Sequence, residues 1–218
     1  MFKSMELGME FSKVLEAEAE ALQRIRRAAH ELHASVNQLY GSGLPYAYHL
    51  DGVAEGVARY GGEVCVREDD VLPLMFGAWF HDSIEDARQT YNDTRKRAAA
   101  LGLDERQALL AAEIVYALTN DKGRTRAERA GEKYYAGIRA TPYAPLVKLA
   151  DRAANVRFSV GRKSEDSLHM AGVYRREFPH FLAALRTDSE DRRLALPRGL
   201  VEQVWSDLGG DGGDGVCP

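Results

Sequence analysis

The sequence predicts an all-α fold, a bundle of helices around one hydrophobic core. Helix-forming residues recur at amphipathic spacing through most of the chain, glycine and proline interrupt them at intervals typical of helix ends, and no segment alternates convincingly as a half-buried strand would. A chain of 218 residues is long enough to bury a sizeable core. We expect residues 1–208 to form a single domain and the Gly- and Asp-rich residues 209–218 to be a disordered tail.

The predicted helices follow one another with short connections. Residues from about 5 to 38 form the first, and a second over about 46 to 60 is stopped by Gly61-Gly62. Asp69-Asp70 are expected to cap the next helix, which carries the apolar run 71–80. Further helices are predicted over residues 92–100, 104–118, 126–139, 142–158, 168–185 and 198–208.

The apolar run Val71–Phe80 ends in the polar sequence 81–86, His-Asp-Ser-Ile-Glu-Asp. The run is too short to cross a bilayer, which takes about 20 residues, so it predicts a buried core helix. If this helix continues, His81 and Glu85 share one face, as do Asp82 and Asp86. Three acids and a histidine crowded there would repel one another, and a bound cation would relieve that repulsion. Glu85 and Asp86, the outer acids, could then act on a water.

Asp151 is a second polar residue in an apolar setting. The helix predicted over 142–158 places it on the buried stripe, with Asn155 one turn later. An aspartate is rarely buried unless it is paired or bound to metal, and the alternative here is an ion pair with Arg152 or Arg157. Imidazole and carboxylate together suit Mn, Fe, Co or Zn, metals that commonly serve to hydrolyse phosphate esters. The candidate ligands in chain order are His49, His81, Asp82 and Asp151.

Three segments of the chain together resemble the HD-domain phosphohydrolases, an all-helical superfamily that binds one or two divalent metals. They are Pro45-Tyr46-Ala47-Tyr48-His49, His81-Asp82-Ser83-Ile84-Glu85-Asp86 and Lys148-Leu149-Ala150-Asp151-Arg152-Ala153-Ala154-Asn155. Within the superfamily the chain is most similar to RelA/SpoT-type (p)ppGpp hydrolases and their small stand-alone relatives. The likeness runs in motif order from about residue 30 to 185 and implies an HD-domain helical bundle with a metal site in its core.

The resemblance also implies a role for each matched position. The four candidate ligands would hold a divalent metal, in the first place Mn²⁺, with Fe, Co, Zn or Mg as alternatives. Glu85 and Asp86 would position or deprotonate the attacking water, whose pKa a metal lowers towards about 7. Asn155 and Arg152 would contact the nucleotide or stiffen the ligand shell. Lys148 and Tyr46 complete the matched substrate-binding candidates, although a tyrosine at a helix start is more often structural.

A basic stretch between two predicted helices runs from Lys122 to Lys133. Most such runs are solvated surface. In the resembling enzymes a comparable segment lies near the phosphates, so Arg129 and Lys133 are further substrate-binding candidates. His30 and His33, by contrast, are interpreted as ordinary surface or interhelix histidines.

The chain departs from the resembling enzymes where they hold the guanine base. They carry basic residues just before the Gly-x-Pro-Tyr segment, where this chain has Tyr40 and Gly41, and Leu50 replaces the proline that follows the first histidine. Phe158 stands where a small hydroxyl residue is usual. The metal chemistry is therefore expected to be intact and the base recognition altered.

Composition limits the partners. A formal net charge of −4 argues against binding a nucleic-acid polymer, and the two cysteines are too few for a disulfide scaffold. The first residues lack the apolar core of a signal peptide, which favours a cytoplasmic protein with no membrane partner. We expect a small-molecule nucleotide as substrate, and a homodimer stays open.

Three functions remain from the sequence. The first is a metal-dependent (p)ppGpp 3′-pyrophosphohydrolase. The second keeps the metal chemistry but acts as an HD-type nucleotidase or phosphodiesterase on another nucleotide, deoxy or cyclic. The third is a non-catalytic nucleotide-binding module, which the intact ligand set and both outer acids disfavour.

Overall fold

Helices make up most of the molecule. The computed structural model describes residues 2–120, 124–162 and 164–210. In chain order its α-helices are α1 Phe2–Ala17, α2 Ala19–Ser35, α3 Ala47–Tyr60, α4 Val71–Phe80, α5 Ser83–Asp86, α6 Tyr91–Ala100, α7 Glu105–Leu118, α8 Arg126–Arg129, α9 Glu132–Ala140, α10 Ala144–Gly161, α11 Glu165–Leu185 and α12 Arg198–Asp207. The prediction of an all-α fold is confirmed. The expected tail from residue 211 onward and Lys122 lie outside the described residues, and the division into one domain and a tail stays a prediction.

Two predicted helices are each divided into two. The first breaks at Glu18, whose φ of −94° and ψ of 15° end α1 and begin α2. The helix expected over 126–139 breaks at Gly131, which takes an extended backbone (φ −80°, ψ −178°) before α9. Amphipathic periodicity predicts where helices lie more closely than where they end, and it missed both breaks.

A short antiparallel hairpin precedes α3, where no strand was predicted. Strand β1, Leu39–Tyr40, pairs with β2, Leu44–Pro45. The connecting turn needs positive φ at Gly41 (53°) and Gly43 (100°), which glycine adopts without steric cost. A Cβ on Gly41 would also overlap the ring of Phe158. Strands of two residues are too short to show a period of two, which explains why the sequence pattern missed them.

The apolar run forms helix α4, which is buried along almost its whole length. Asp70 at its start does not cap it through its side chain, contrary to expectation. The Asp70 carboxylate is fully buried and instead accepts hydrogen bonds from Tyr143 Oη at 2.7 Å and Arg106 Nη1 at 2.6 Å. It therefore ties α4 to the starts of α7 and α10.

Helix α4 ends at Phe80, so the condition that it continues through residue 86 is not met. His81 and Asp82 form a turn, and the separate helix α5 begins at Ser83. The backbone N–H of Asp86 still donates to Asp82 O over 2.9 Å, so these two acids remain one helical turn apart. His81 keeps a helical backbone (φ −53°, ψ −34°), and the departure from helical angles begins at Asp82 (φ −95°, ψ 3°).

Helices α3 and α10 pack against each other through small residues. A Cβ built on Gly56 would lie 3.3 Å from Ala150 Cβ, and one on Gly52 would lie 3.4 Å from Ala154 Cβ. This close approach brings the start of α3 beside the middle of α10. Within the described part of the chain, no helix has the length and apolar character needed to span a bilayer.

Candidate metal centre

Two buried histidines and a carboxylate meet where α3 passes the end of α4. His49 Nε2 lies 3.3 Å from His81 Nε2 and 3.6 Å from Asp82 Oδ2. His81 Nε2 lies 2.9 Å from the same Asp82 oxygen. Both histidines are only 3% exposed. Helix packing thus brings together residues that the sequence separates by about thirty positions.

Asp151 of α10 approaches the same group. Its Oδ1 is 3.4 Å from His49 Nε2 and 4.0 Å from His81 Nε2. Two ligand atoms that are each about 2.1 Å from one ion lie roughly 3 to 4 Å apart, and these separations fall in that range. Two imidazole nitrogens with carboxylate oxygens suit a divalent transition metal. The cluster of His49, His81 and Asp82, joined by Asp151, could therefore hold such an ion.

The histidine rings are held in different ways. His81 Nδ1 lies 2.9 Å from the carbonyl oxygen of Ala78, to which it can donate, and Nε2 is the ring nitrogen that faces the cluster. His49 Nδ1 is buried without a hydrogen-bond partner among the described residues. Its ring is held by stacking on Tyr40, with centroids 4.8 Å apart and an interplanar angle of 22°.

Tyr46 contacts both Asp82 and Asp86. Its hydroxyl donates to Asp82 Oδ2 over 2.5 Å and lies 3.3 Å from Asp86 Oδ2. Its ring stacks on His33. The structure therefore brings Tyr46 to the centre as a support for the two carboxylates. That arrangement matches the structural alternative for a tyrosine at a helix start.

Asp151 has its own set of supporting contacts. Lys148 Nζ lies 3.0 Å from Asp151 Oδ2, and Asn155 Nδ2 donates to Asp151 Oδ1 over 2.7 Å. Tyr40 Oη in turn donates to Asn155 Oδ1 over 2.7 Å. Lys148 and Asn155 are thus placed beside a candidate ligand. The ion pair considered from sequence, between Asp151 and Arg152 or Arg157, is replaced by one with Lys148.

Opposite charges are concentrated in this buried place. Burial alone would lower the pKa of His81, but the negative charges of Asp82 and Asp151 outweigh it and raise that pKa to about 9. Burial would raise the pKa values of both carboxyls, yet both pKa values are lowered, by His81 at Asp82 and chiefly by Lys148 at Asp151. Both acids therefore stay ionised and offer the negative charge that a cation neutralises.

Glu85 and Asp86, the two acids outside the candidate ligand set, differ in their surroundings. Glu85 accepts hydrogen bonds from the backbone N–H of Asn120 and, over 3.1 Å, from its side-chain amide. Partial desolvation raises the pKa of Glu85, and the negative charge of Asp82 adds to the shift. Asp86 is held by Gln38, whose Nε2 donates to Asp86 Oδ2 over 2.5 Å.

The three other basic substrate-binding candidates have different surroundings from those of Lys148. The guanidinium of Arg152 lies over the rings of Tyr174 and Phe181, at 4.8 and 4.4 Å, and Nη1 is 3.3 Å from Glu177 Oε2. These contacts join α10 to α11. Arg129 and Lys133 are exposed, at the end of α8 and the start of α9.

Several residues at the centre escaped the sequence analysis. His33, expected to be an ordinary histidine, is 1% exposed and lies within the network around Tyr46. Gln38, Tyr40 and Asn120 contact motif residues but belong to no motif themselves. Tyr40 was noted only as a departure from the resembling enzymes. Nothing in periodicity or spacing marks such residues, because their partners are far away in the chain.

The chain is similar in sequence to a curated protein of known activity. No model of a known protein family matches the chain. A curated protein from Danio rerio, guanosine-3′,5′-bis(diphosphate) 3′-pyrophosphohydrolase MESH1, is 30% identical to the chain over 136 residues. The aligned part covers 62% of this chain and 67% of the relative.

Proposed function

The chain belongs to the HD superfamily of phosphohydrolases, and from that membership we propose that it is a metal-dependent (p)ppGpp 3′-pyrophosphohydrolase. In this reaction a water oxygen bonds to the phosphorus joined to the 3′ oxygen, and the bond between that phosphorus and the 3′ oxygen breaks. Pyrophosphate leaves, and the 3′ oxygen takes up a proton. From guanosine-3′,5′-bis(diphosphate) the products are GDP and pyrophosphate.

The observation that carries the proposal is the group of two buried histidines and two carboxylates at ligand spacing, with Glu85 and Asp86 beside it. Ionised groups in a buried place are costly unless they are paired or bound to a cation, and here they lie at the spacing of ligands to one ion. The Danio rerio relative is named as a 3′-pyrophosphohydrolase of guanosine-3′,5′-bis(diphosphate), and we take the substrate from that relative. We further propose the small RelA/SpoT-type subclass, which is supported by the order of the three motifs.

We propose that His49, His81, Asp82 and Asp151 hold the metal. Mn²⁺ is the ion that we expect, with Fe, Co, Zn or Mg as alternatives. Such an ion would supply positive charge to a phosphate oxygen and would lower the pKa of water towards about 7. The ring of His81 is already turned for this purpose, because its Nδ1 faces Ala78 O.

Glu85 and Asp86 hold the attacking water and accept its proton. The two hydrogen bonds from Asn120 restrict Glu85 to one orientation. Its raised pKa brings the carboxylate nearer to the range in which it exchanges protons at neutral pH. Asp86 is the second acid of the pair, tied to Gln38 and close to Tyr46.

Cations on the chain hold the phosphates. Burial would lower the pKa of Lys148, but Asp151 outweighs it and raises that pKa, so the ammonium stays charged beside the centre. We propose Arg129 and Lys133 as phosphate contacts from α8 and α9, where a guanidinium can grip two oxygens at once. Asn155 and Arg152 would act on the substrate indirectly, Asn155 by orienting Asp151 and Arg152 by docking α11.

A second candidate function follows from Tyr40. It stands where the resembling enzymes carry cations, and with Tyr48 and Phe158 it forms a group of neighbouring rings, 4.6 to 6.2 Å apart between centroids. Tyr48 is 56% exposed. Neutral rings stack on any base. A group of rings in place of cations therefore need not select guanine. It favours an HD-type nucleotidase or phosphodiesterase with another nucleotide, deoxy or cyclic, as substrate. Either enzyme would act on a small molecule, and we expect it in the cytoplasm.

The test is a product analysis. The Mn²⁺-loaded protein is incubated with ppGpp and, in parallel, with ordinary, deoxy and cyclic nucleotides, and pyrophosphate is distinguished from orthophosphate by anion exchange. Release of pyrophosphate from ppGpp, lost in Asp82→Ala and kept in the exposed control Asp188→Ala, supports the proposal. Turnover of a different nucleotide supports the second candidate. Metal binding with no turnover favours the non-catalytic module.

A further inference from the structure

We propose that Gln38 is a positioning residue that fixes the carboxylate of Asp86, and that a hydrogen bond from His33 holds the side chain of Gln38 in place. The inference rests on the proposed function, in which Asp86 acts on the attacking water. Gln38 and His33 stand outside the three motifs of the sequence, and among the residues that the structure describes neither forms a hydrogen bond with a candidate metal ligand. The contribution of Gln38 would therefore pass through Asp86.

The side-chain amide of Gln38 joins two partners. Its Nε2 donates to Asp86 Oδ2 over 2.5 Å, and its Oε1 lies 2.5 Å from His33 Nδ1, which donates to it. A primary amide has a donor and an acceptor at opposite corners, so one side chain can serve both partners. A carboxylate in the same place would put an acceptor against an acceptor. Glutamine is thus chemically suited to link a histidine to an aspartate.

Tyr46 contacts both His33 and Asp86. Its ring is stacked on His33, with centroids 4.9 Å apart and an interplanar angle of 14°. Its hydroxyl lies 3.3 Å from Asp86 Oδ2, the oxygen that Gln38 also contacts. His33 therefore supports Asp86 along two routes, by a hydrogen bond through Gln38 and by stacking through Tyr46. We call these four side chains the His33 bracket.

Asp86 needs such support because of its position. It is the last residue of α5, a helix of four residues, and it is exposed. An exposed carboxylate on a short helix samples several rotamers, and this freedom lowers the fraction of time spent in a productive geometry. Both contacts of the bracket go to Oδ2. Neither engages Oδ1, the oxygen that would face the water.

The burial of His33 is otherwise unexplained. The residue is 1% exposed, and its Nε2 has no hydrogen-bond partner among the described residues. A buried polar atom without a partner costs stability, and an apolar side chain of similar size would avoid that cost. The bond from Nδ1 to Gln38 and the stacking on Tyr46 give a reason for an imidazole at this position.

The test compares Gln38→Glu with Gln23→Glu. Gln38→Glu keeps the size of the side chain and an acceptor for His33 but replaces the donor that faces Asp86. Gln23 is an exposed residue of α2, so the control makes the same chemical change away from the centre. Using Mn²⁺-loaded full-length protein and ppGpp, we expect kcat to fall by about tenfold or more in Gln38→Glu, with KM within about threefold of the unmodified protein. Gln23→Glu should match the unmodified protein.

The same substitution is then made in Asp86→Ala. If Gln38 acts through Asp86, Gln38→Glu has no further effect on kcat in that background. An equal loss in both backgrounds, or no loss in either, overturns the inference. If Asp86→Ala itself leaves kcat unchanged, the role of Asp86 under the proposed function fails, and the bracket is judged on a measurement that needs no turnover.

That measurement is hydrogen exchange at the side-chain amide of Gln38. It is followed by ¹⁵N NMR of the full chain with diamagnetic Mg²⁺, and the signal is assigned by its absence in Gln38→Glu. Slow exchange that becomes fast in Asp86→Ala supports the bracket, even if ppGpp is not the substrate. Fast exchange in the unmodified protein overturns it, whatever the enzyme does with ppGpp.

Discussion

Gly56 of α3 faces Ala150 of α10 so closely that a Cβ on the glycine would lie 3.3 Å from the alanine methyl. One residue beyond Ala150 is Asp151, whose Oδ1 lies 3.4 Å from His49 Nε2 at the start of α3. The spacing of the two helices therefore sets the distance between two candidate metal ligands. Larger side chains in this interface would be expected to disturb the metal centre without touching it.

The first prediction tests this spacing with Gly56→Val. The branched side chain overlaps Ala150, so we expect about 1 to 3 kcal/mol of destabilisation and a smaller gain in Tm on adding Mn²⁺. Each kcal/mol corresponds to roughly 2 to 4 °C for a chain of this size. The matched control is Gly137→Val in α9, where an added Cβ meets nothing within 4 Å. Equal responses to Mn²⁺ in the two variants would refute the link between helix spacing and metal binding.

The second prediction concerns the ligands. Asp82→Ala and Asp151→Ala should each weaken Mn²⁺ binding on the order of 100-fold or more and abolish turnover together with it, because each removes a donor atom. Calorimetric titration measures the affinity, and Asp188→Ala serves as the exposed control. Retention of full affinity in either ligand variant would remove that residue from the ligand set.

The third prediction separates Glu85 from the ligands. Glu85→Ala should leave Mn²⁺ affinity within a few-fold of the unmodified protein and lower kcat by about 10² to 10⁴-fold, the usual contribution of a positioned acid or base. Single-turnover kinetics beside a metal titration distinguishes the two effects. Loss of the metal in this variant would mean that Glu85 belongs to the ligand set.

The fourth prediction is a pH dependence of metal binding. The pKa of His81 is raised to about 9 without metal, so a proton occupies the ring at neutral pH and must leave before the nitrogen can bind a metal. Mn²⁺ affinity should rise by about tenfold for each pH unit up to about 8.5. By the same linkage, the raised pKa of His81 stabilises the metal-free protein. This contribution is complete below the unfolded pKa of about 6.5 and is lost as pH rises through about 9.

Two measurements check this pH dependence. Titrations at pH 6.5, 7.5 and 8.5 give the slope of affinity, and thermal unfolding of metal-free protein over the same range gives the loss of stability. His180→Ala, which removes an exposed histidine, should keep both slopes. A Mn²⁺ affinity that does not change between pH 6.5 and 8.5 contradicts the prediction.

The fifth prediction distinguishes two roles of Tyr46. Tyr46→Phe keeps the ring on His33 but removes the hydroxyl that binds Asp82. If Tyr46 supports the carboxylates, kcat or metal affinity should fall by about 10 to 100-fold with little change in KM. If it mainly stacks on the base, the phenylalanine variant should behave like the unmodified protein. Tyr116→Phe, a change at an exposed tyrosine of α7, is the control.

Residue types and periodicity predicted the fold class and the kind of site. Amphipathic spacing and the position of glycine and proline predicted most helices, because these signals are local to each helix. The apolar run before His81 predicted the buried helix α4, and the apolar setting of Asp151 marked it as a candidate ligand. Carboxylate and imidazole side chains have the same coordination chemistry in any fold, so the kind of site could be inferred from the residues that were available.

Only the tertiary structure decided which residues meet. Tyr40 bonds Asn155 across 115 positions of the chain, and Gln38 bonds Asp86 across 48. No local pattern encodes such contacts, because they depend on how helices pack and where a helix ends. For the same reason the end of α4 at Phe80 was not predicted. The sequence by itself determined most of the helices and the chemistry of the candidate ligands, while the close packing of α3 on α10 decided that these ligands could share one ion.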